Sequence, residues 1–310
     1  MRPTAILEIA VLVSPGRGME ASTAQTFIDE IGHVLEDSAF IDECGRRLSV
    51  PRPEIVSRIQ NSLGEAAVGL QLLKGIQLEG KRVLEVGAGI GIVSLALHRC
   101  GVDVMAIEPG FGGFDENAVI GVCLRDWLKV TDVAYESMGA AELRPDKHGM
   151  FDVLFSVNVL EHIPDLEAAI TGMCGVLRPG GVMRHTCPNY LVPYEPHFGI
   201  PLVPLFPRAT ALFLPSARNT ELWRSLNFVT LAQMRRAFAR HRLDCVFSPG
   251  AMYAAFARLE KDQKFRERQH SKGVVASAYF ILRRFGLLRL VASLPPVLAT
   301  PMTFEVRMRE

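Results

Sequence analysis

The segment from Arg82 to Leu97, RVLEVGAGIGIVSLAL, limits what this chain can fold into more than any other stretch. Arg82 to Val86 reads as a short buried strand, Gly87 to Gly91 as a tight glycine turn, and Ile92 to Leu97 as the apolar start of a helix. A strand, glycine loop and helix in that order form a nucleotide-binding turn. Its backbone must bend sharply and approach a ligand, so a side chain at Gly87, Gly89 or Gly91 is expected to occupy the ligand's space. Spacing then separates the ligands. The dinucleotide fingerprint G-x-G-x-x-G needs its third glycine where Ile92 stands; here the third glycine is Gly91, and the acidic Glu85 precedes the loop.

Downstream, Val102 to Ile107 reads as a second strand ending in Glu108. An acid about 20 positions past a glycine loop, at the carboxyl end of the second strand, is placed to accept hydrogen bonds from both hydroxyls of a ribose. Gly110 to Gly113 is a glycine-rich turn, Ala118 to Val130 a helix and Val133 to Met138 a short third strand. Phe151 to Asp165, FDVLFSVNVLEHIPD, is a buried strand running into a loop, followed by a helix over Leu166 to Leu177. Arg178-Pro179-Gly180-Gly181 makes a turn into a fifth strand, Val182 to Cys187. Thr230 to His241 is an amphipathic helix, Leu243 to Phe247 a sixth strand, and Met302 to Met308 a final strand whose alternation predicts a partly exposed edge.

Glu85 to Gly91, as E-x-G-x-G-x-G, resembles motif I of the class I S-adenosylmethionine (SAM) dependent methyltransferases. Two further segments carry the same resemblance: Asn158-Val159-Leu160-Glu161-His162, similar to the fourth-strand motif of small-molecule methyltransferases, and the L-x-P-G-G turn at Leu177 to Gly181. The match covers about residues 80 to 190. It implies an α/β fold with a doubly wound, mostly parallel sheet whose ligand sits at the carboxyl ends of the strands. SAM is the implied cofactor. The loop residues Glu85, Gly87, Ala88, Gly89 and Gly91 are the implied site, with Glu108 on the ribose and Val157 and Asn158 beside the methionine part. Gly139 and Ala140 stand where the family holds adenine. The family's usual acid is missing from the first of these positions, so contact by the backbone of Ala140 is expected to remain. Some related enzymes acting on quinone precursors hold a metal with a Glu where this chain has Asn158; no metal is therefore expected.

The implied organisation is a helical extension over residues 1–79, a SAM-binding core over 80–250, a helical insertion over 251–301, and a final core strand over 302–310. Within the core, residues 187–230 contain prolines at 188, 193, 196, 201, 204, 207 and 215, which exclude long helices and central strands. Rich in Tyr, Phe and Leu, this loop follows the strand facing the methyl group and is expected either to line a substrate pocket or to cover the sheet end. The insertion has a charged part, Arg258 to Lys272, and an apolar part, 274–298, where Arg283, Arg284 and Arg289 raise the expectation of peripheral membrane contact.

Thirty-four Lys and Arg against 33 Asp and Glu leave a net charge of +1, so no global field favours nucleic acid, and none is expected as a partner. The six cysteines show no C-x-x-C pair or zinc spacing and read as reduced thiols of a cytoplasmic protein. Ala5 to Val13 could pass for a signal-peptide core, but Glu8 interrupts it and no cleavage site follows.

Methyl transfer from a sulfonium is an in-line displacement with an activated leaving group, so alignment and water exclusion dominate. An oxygen or amine acceptor must also lose a proton. His162, next to the fourth-strand loop, is the first candidate base; Tyr190 and His197 on the proline-rich loop join it, with His185, Tyr194 and Glu195 behind them. The expected reaction is methyl transfer to a small, lipid-like or glycan-like acceptor at oxygen. The alternatives are a nicotinamide-dependent oxidoreductase and a SAM-binding protein without catalysis.

Overall fold

Short apolar strands that alternate with helices bury both faces only when they lie side by side between helical layers. In the computed structural model, which describes residues 21–110, 115–214, 220–261 and 274–308, they do so as a seven-stranded sheet of order β3-β2-β1-β4-β5-β9-β8. β1 (Arg82–Val86), β2 (Asp103–Ile107), β3 (Ala134–Glu136), β4 (Phe151–Val157) and β5 (Leu177–Cys187) run parallel. β8 (Leu243–Phe247) and β9 (Met302–Met308) complete the sheet, β9 being antiparallel to both of its neighbours.

Two of the strand expectations need correction. β9 is not an edge: it lies between β5 and β8, and its alternating burial reflects the two faces of an inner strand, while β8 takes the edge. The Arg178-Pro179-Gly180-Gly181 turn is not a separate entry to β5. Leu177 already pairs with Phe151, the next pair joins Val153 to Val182, and Gly180, at φ +77°, carries the excursion inside one strand.

One sheet face is covered by α4 (Ile92–Arg99), α5 (Asp115–Leu128) and the N-terminal helices α1 (Ala21–Glu36), α2 (Ser38–Leu48) and α3 (Arg52–Leu73). Ile28, Ile31, Ile55 and Ile59 repeat at helical spacing and join Val93, Leu97 and Phe155 in one core. α3 approaches closely because Gly69 has no side chain: a Cβ there would come within 3.0 Å of Val93 and 3.5 Å of Phe155. The opposite face carries α6 (Leu166–Val176), whose N-cap Asp165 accepts from Ala168 N–H at 3.0 Å, and a helix at Leu231–Ala239 capped reciprocally by Thr230 and Gln233. Their Ile170, Met173, Met234 and Phe238 pack on Leu154, Met183 and Phe304.

Between β5 and the helix at Leu231–Ala239, the proline-rich segment builds a two-residue hairpin from β6 (Tyr194–Glu195) and β7 (Ile200–Pro201), and short helical turns at Pro207–Leu212 and Glu221–Ser225. The insertion before β9 contains helices at Ala251–Lys261, Val274–Arg284 and Leu288–Ala292. On it Phe280, Ile281, Phe285 and Leu290 are exposed, alongside Arg283, Arg284 and Arg289. Among the described residues no helix is long and apolar enough to cross a membrane. The Ala5 to Val13 run, most of the glycine-rich turn after Gly110, and the charged stretch from 262 to 272 lie outside the described residues.

Candidate active site

β1 and β2 end in register, Val86 opposite Ile107, so the two loops that follow meet at once. Gly87 N–H and Ala88 N–H both donate to Ile107 C=O, at 2.9 and 3.0 Å, and Gly89 N–H donates to Glu108 Oε2 at 2.9 Å. Gly87, Gly89 and Gly91 have φ of +71°, +55° and +84°, a region in which any side chain is strained. Their surroundings differ, which refines the expectation that all three clear space for a ligand. A Cβ on Gly87 would strike Val159 Cγ2 at 2.3 Å, and one on Gly91 would press on Tyr135 at 3.3 Å. Of the three, Gly89 alone has open space among the described residues, with Asn117 Nδ2 its nearest neighbour at 3.8 Å, and Asn117 Oδ1 is buried with no hydrogen-bond partner among them. An open glycine and an orphaned acceptor side by side fit a polar ligand lying over Gly89.

Glu85 faces inward. Its Oε2 accepts from Ser94 N–H at 3.0 Å and from the Ser94 hydroxyl, tying β1 to the first turn of α4, and burial pushes its carboxyl up to about 7. Glu108 is also raised by burial, against the two N–H donors it holds, those of Gly89 and Gly110. Tyr135 donates to Gly89 C=O at 2.6 Å and lies under Arg125, 3.9 Å from the ring centre. On the other side of β1, Asn158 takes the left-handed φ of +53°, donates from its backbone to Thr186 C=O, and reaches Glu65 Oε1 with Nδ2 at 3.1 Å.

The turn after Asn158, Leu160–His162, meets the proline-rich segment. His162 Nδ1 lies 2.8 Å from Ser225 Oγ, and His162 Nε2 lies 3.4 Å from His197 Nε2. His197 Nδ1 is 2.6 Å from Glu195 Oε1; Phe198 N–H and the Tyr190 hydroxyl donate to the same carboxylate. Burial holds His162 down at about 3, so its ring is neutral at any physiological pH. Burial also opposes a charge on His197, but the bond to Glu195 and the nearby carboxylates outweigh it and raise His197. Burial drives Glu161 up to about 8, and both of its carboxyl oxygens are buried with no hydrogen-bond partner among the described residues. Above this cluster Tyr190, Phe198, Trp223 and Phe228 meet edge to face at centroid distances of 5.1 to 5.7 Å.

Comparison with known proteins decides the class. The profile of a family described as a methyltransferase domain matches residues 60–258, well over half of the chain. The chain belongs to this methyltransferase family. An uncharacterized protein of Mycobacterium tuberculosis is 30% identical to the methyltransferase over 236 residues, 72% of this chain and 79% of that one. The human mitochondrial ubiquinone biosynthesis O-methyltransferase is 32% identical over 117 residues, which cover 37% of this chain and 31% of the relative. Among solved structures, a SAM-dependent methyltransferase of Mesorhizobium loti shares the fold with a TM-score of 0.50 at 13% identity, over 79% of this chain and 99% of that one. SAM is the methyl donor of this enzyme, and the nicotinamide reading falls away.

Within the methyltransferase, the sheet gathers Gly87, Ala88, Gly89, Gly91, Glu108, Val157 and Asn158 at one end of the parallel strands. Ala140 is buried at the start of a helical turn after β3, and Gly139 N–H is held by Glu142 Oε1 at 2.8 Å. His162, Tyr190 and His197 come together although 35 residues separate the outer two. His185 goes elsewhere: it is fully buried in β5, bonded to Ser156 at 2.7 Å and packed between Phe238 and Phe304. Sequence reading missed Glu65, Tyr135 and Ser225. Glu65 sits on the exposed side of α3, where nothing local in the sequence distinguishes it from a solvated charge; its contact with Asn158 and its charge beside Glu161 and His197 do.

Proposed function

We propose that this SAM-dependent methyltransferase methylates a hydroxyl oxygen of a small acceptor with an apolar or ring-shaped body. The observation that carries the reading is the concentration of Glu161, His162, Glu195 and His197 beneath the aromatic group of the 187–230 segment, on the Asn158 side of the glycine loop. In the reaction the acceptor oxygen forms a bond to the methyl carbon as the S–CH3 bond breaks. The sulfur keeps the bonding pair and leaves as a neutral thioether, and the hydroxyl proton is released. A hydroxyl is a poor nucleophile while it keeps that proton, so a site that accepts or loosens it gains most from a cluster of imidazoles and carboxylates. The aromatic group supplies a dry wall for a ring or aliphatic body. The O-methyltransferases of ubiquinone biosynthesis among the relatives support oxygen as the acceptor atom.

The test is formation of S-adenosylhomocysteine from SAM in the presence of panels of phenols, aliphatic alcohols, sugars and amines. Turnover with hydroxyl acceptors is expected. Turnover with amines alone, or tight SAM binding with no acceptor among all four panels, would overturn the reading.

A further inference from the structure

The helix α3 does more than cover one face of the sheet. Gly69 lies against β4, where a Cβ would come within 3.5 Å of Phe155 and 3.7 Å of Val157, the last residue of that strand. One turn earlier, Glu65 passes the strand end, and its Oε1 accepts from Asn158 Nδ2 at 3.1 Å. Two turns before Glu65, Arg58 pairs at 3.1 Å with Glu116 in the first turn of α5, next in sequence to the Asn117 that faces Gly89. Arg58 and Glu65 are seven residues apart and share one side of the helix. Because β1 lies between β2 and β4, a helix that touches both the loop after β4 and the start of α5 crosses over the glycine loop that follows β1. Glu65 is the acidic group of that crossing. Its charge reaches Glu85 at the glycine loop on one side, and Glu161 and His197 in the polar cluster on the other. The donor fits the open space over Gly89, beside the buried Asn117 Oδ1, and the acceptor must approach from outside that loop. A group that reaches both sides therefore stands near the path of the methyl.

We propose that Glu65 is a specificity-determining residue that makes the site prefer the cationic donor SAM over its neutral product. SAM carries a positive sulfonium. When the S–CH3 bond breaks toward the acceptor, the sulfur keeps the bonding pair and S-adenosylhomocysteine is left with a neutral thioether. A carboxylate held near the sulfur attracts the first and has no charge to attract in the second, and selectivity is the difference between the two affinities. Product is held more weakly than donor and exchanges for it. Asn158 fixes where the carboxylate stands, by its bond to Oε1 from the end of β4. The inference uses SAM as the donor and does not depend on which atom of the acceptor is methylated.

The experiment is calorimetric titration of the full-length protein with SAM and, separately, with S-adenosylhomocysteine. Glu65→Gln keeps an oxygen for Asn158 and removes only the charge. It should weaken SAM about tenfold or more and S-adenosylhomocysteine less than about twofold. A cationic analogue with an amine in place of the methylated sulfur, unable to give up a methyl group, should follow SAM. Glu65→Asp keeps the charge and should keep most of the preference. Glu30→Gln removes an acidic charge from α1, where it pairs with Arg99 at 3.4 Å, and should leave the ratio of the two affinities unchanged. Equal weakening of both ligands in Glu65→Gln, the result of a purely structural link to Asn158, overturns the proposal, and so does an unchanged affinity for SAM. No acceptor enters the titration, so a protein that passes it and methylates no hydroxyl would refute the acceptor reading alone.

Discussion

Replacing Gly87 with Ala separates the two jobs a glycine loop can do. The residue holds φ at +71°, and its new Cβ would lie 2.3 and 2.7 Å from the two methyl carbons of Val159. The left-handed backbone costs about 1–2 kcal/mol without glycine, and forcing a methyl into filled space costs about 1–3 kcal/mol more. At roughly 2–4 °C per kcal/mol for a domain of this size, the melting temperature should fall by about 4–20 °C. Gly89→Ala is the contrast: it bears the backbone strain but meets no atom closer than 3.8 Å. It should melt nearer to wild type while binding S-adenosylhomocysteine more than tenfold less tightly if the open space over Gly89 is where the cofactor lies. Differential scanning calorimetry and isothermal titration of both variants give the two readings. Adding Val159→Ala to Gly87→Ala should recover part of the lost stability, a coupling that distant sites do not show. A Gly87→Ala protein that melts with wild type, or a double variant that recovers nothing, would refute the contact as the reason for this glycine.

Three other outcomes are expected. A Cβ on Gly172 of α6 would lie 2.1 Å from Ala140 C=O, so Gly172→Ala should lower both melting temperature and S-adenosylhomocysteine affinity; Gly175→Ala, with no described atom within 4 Å, should gain up to about 1 kcal/mol of helix propensity. Asp152 accepts from Arg82 N–H at 2.9 Å and Arg178 at 2.8 Å; burial opposes its charge, but these partners and Lys81 outweigh it and depress its carboxyl. Its contribution is therefore complete above the unfolded carboxylate range and lost as pH falls through the lower folded value. The gap in melting temperature between wild type and Asp152→Asn should shrink once pH falls below the unfolded Asp range near about 4, and a gap that widens on acidification would reverse the assignment. Finally, no Asp or Glu occurs between Glu267 and Glu305, where Arg283, Arg284 and Arg289 flank exposed Phe280, Ile281 and Phe285; the protein should sediment with anionic lipid vesicles at low salt, and charge reversal at Arg283 and Arg284 should release it.

What the sequence made legible is what depends on neighbours in the chain. The strand, glycine loop and helix at Arg82 to Arg99 are written in periodicity and in three glycines, and Glu108 follows because strand length fixes where the next loop begins. The sheet end, its glycine loop and the position of Glu108 were visible for that reason. The position of β9 was not: alternation reports which faces are buried, and an inner antiparallel strand with one wetter face alternates just as an edge does. The choice between a pocket-lining loop and a cover at 187–230 was equally out of reach, since proline excludes regular elements without saying where the segment goes.

The polar cluster shows the same limit from the functional side. His162 could be singled out because it follows a recognisable strand end, yet its partner at 35 residues' distance and its anchor Ser225 at 63 have no local signature. Taken singly, Glu161 is an acid in a short turn, His197 a loop histidine and Glu195 a charge in a two-residue strand. Their meaning comes from closure of the loop. Asn227 donates to Leu160 C=O at 2.7 Å and to Ile163 C=O at 3.1 Å, and its N–H bonds Glu161 C=O at 2.8 Å, so the far end of the 187–230 segment is stitched to the fourth-strand turn through backbone groups. That stitching seals Glu161 away from water with both oxygens unanswered. A fold that encloses Glu161 in this way keeps its carboxyl protonated near neutral pH, and sets His162 and His197 beside it with their Nε2 atoms 3.4 Å apart.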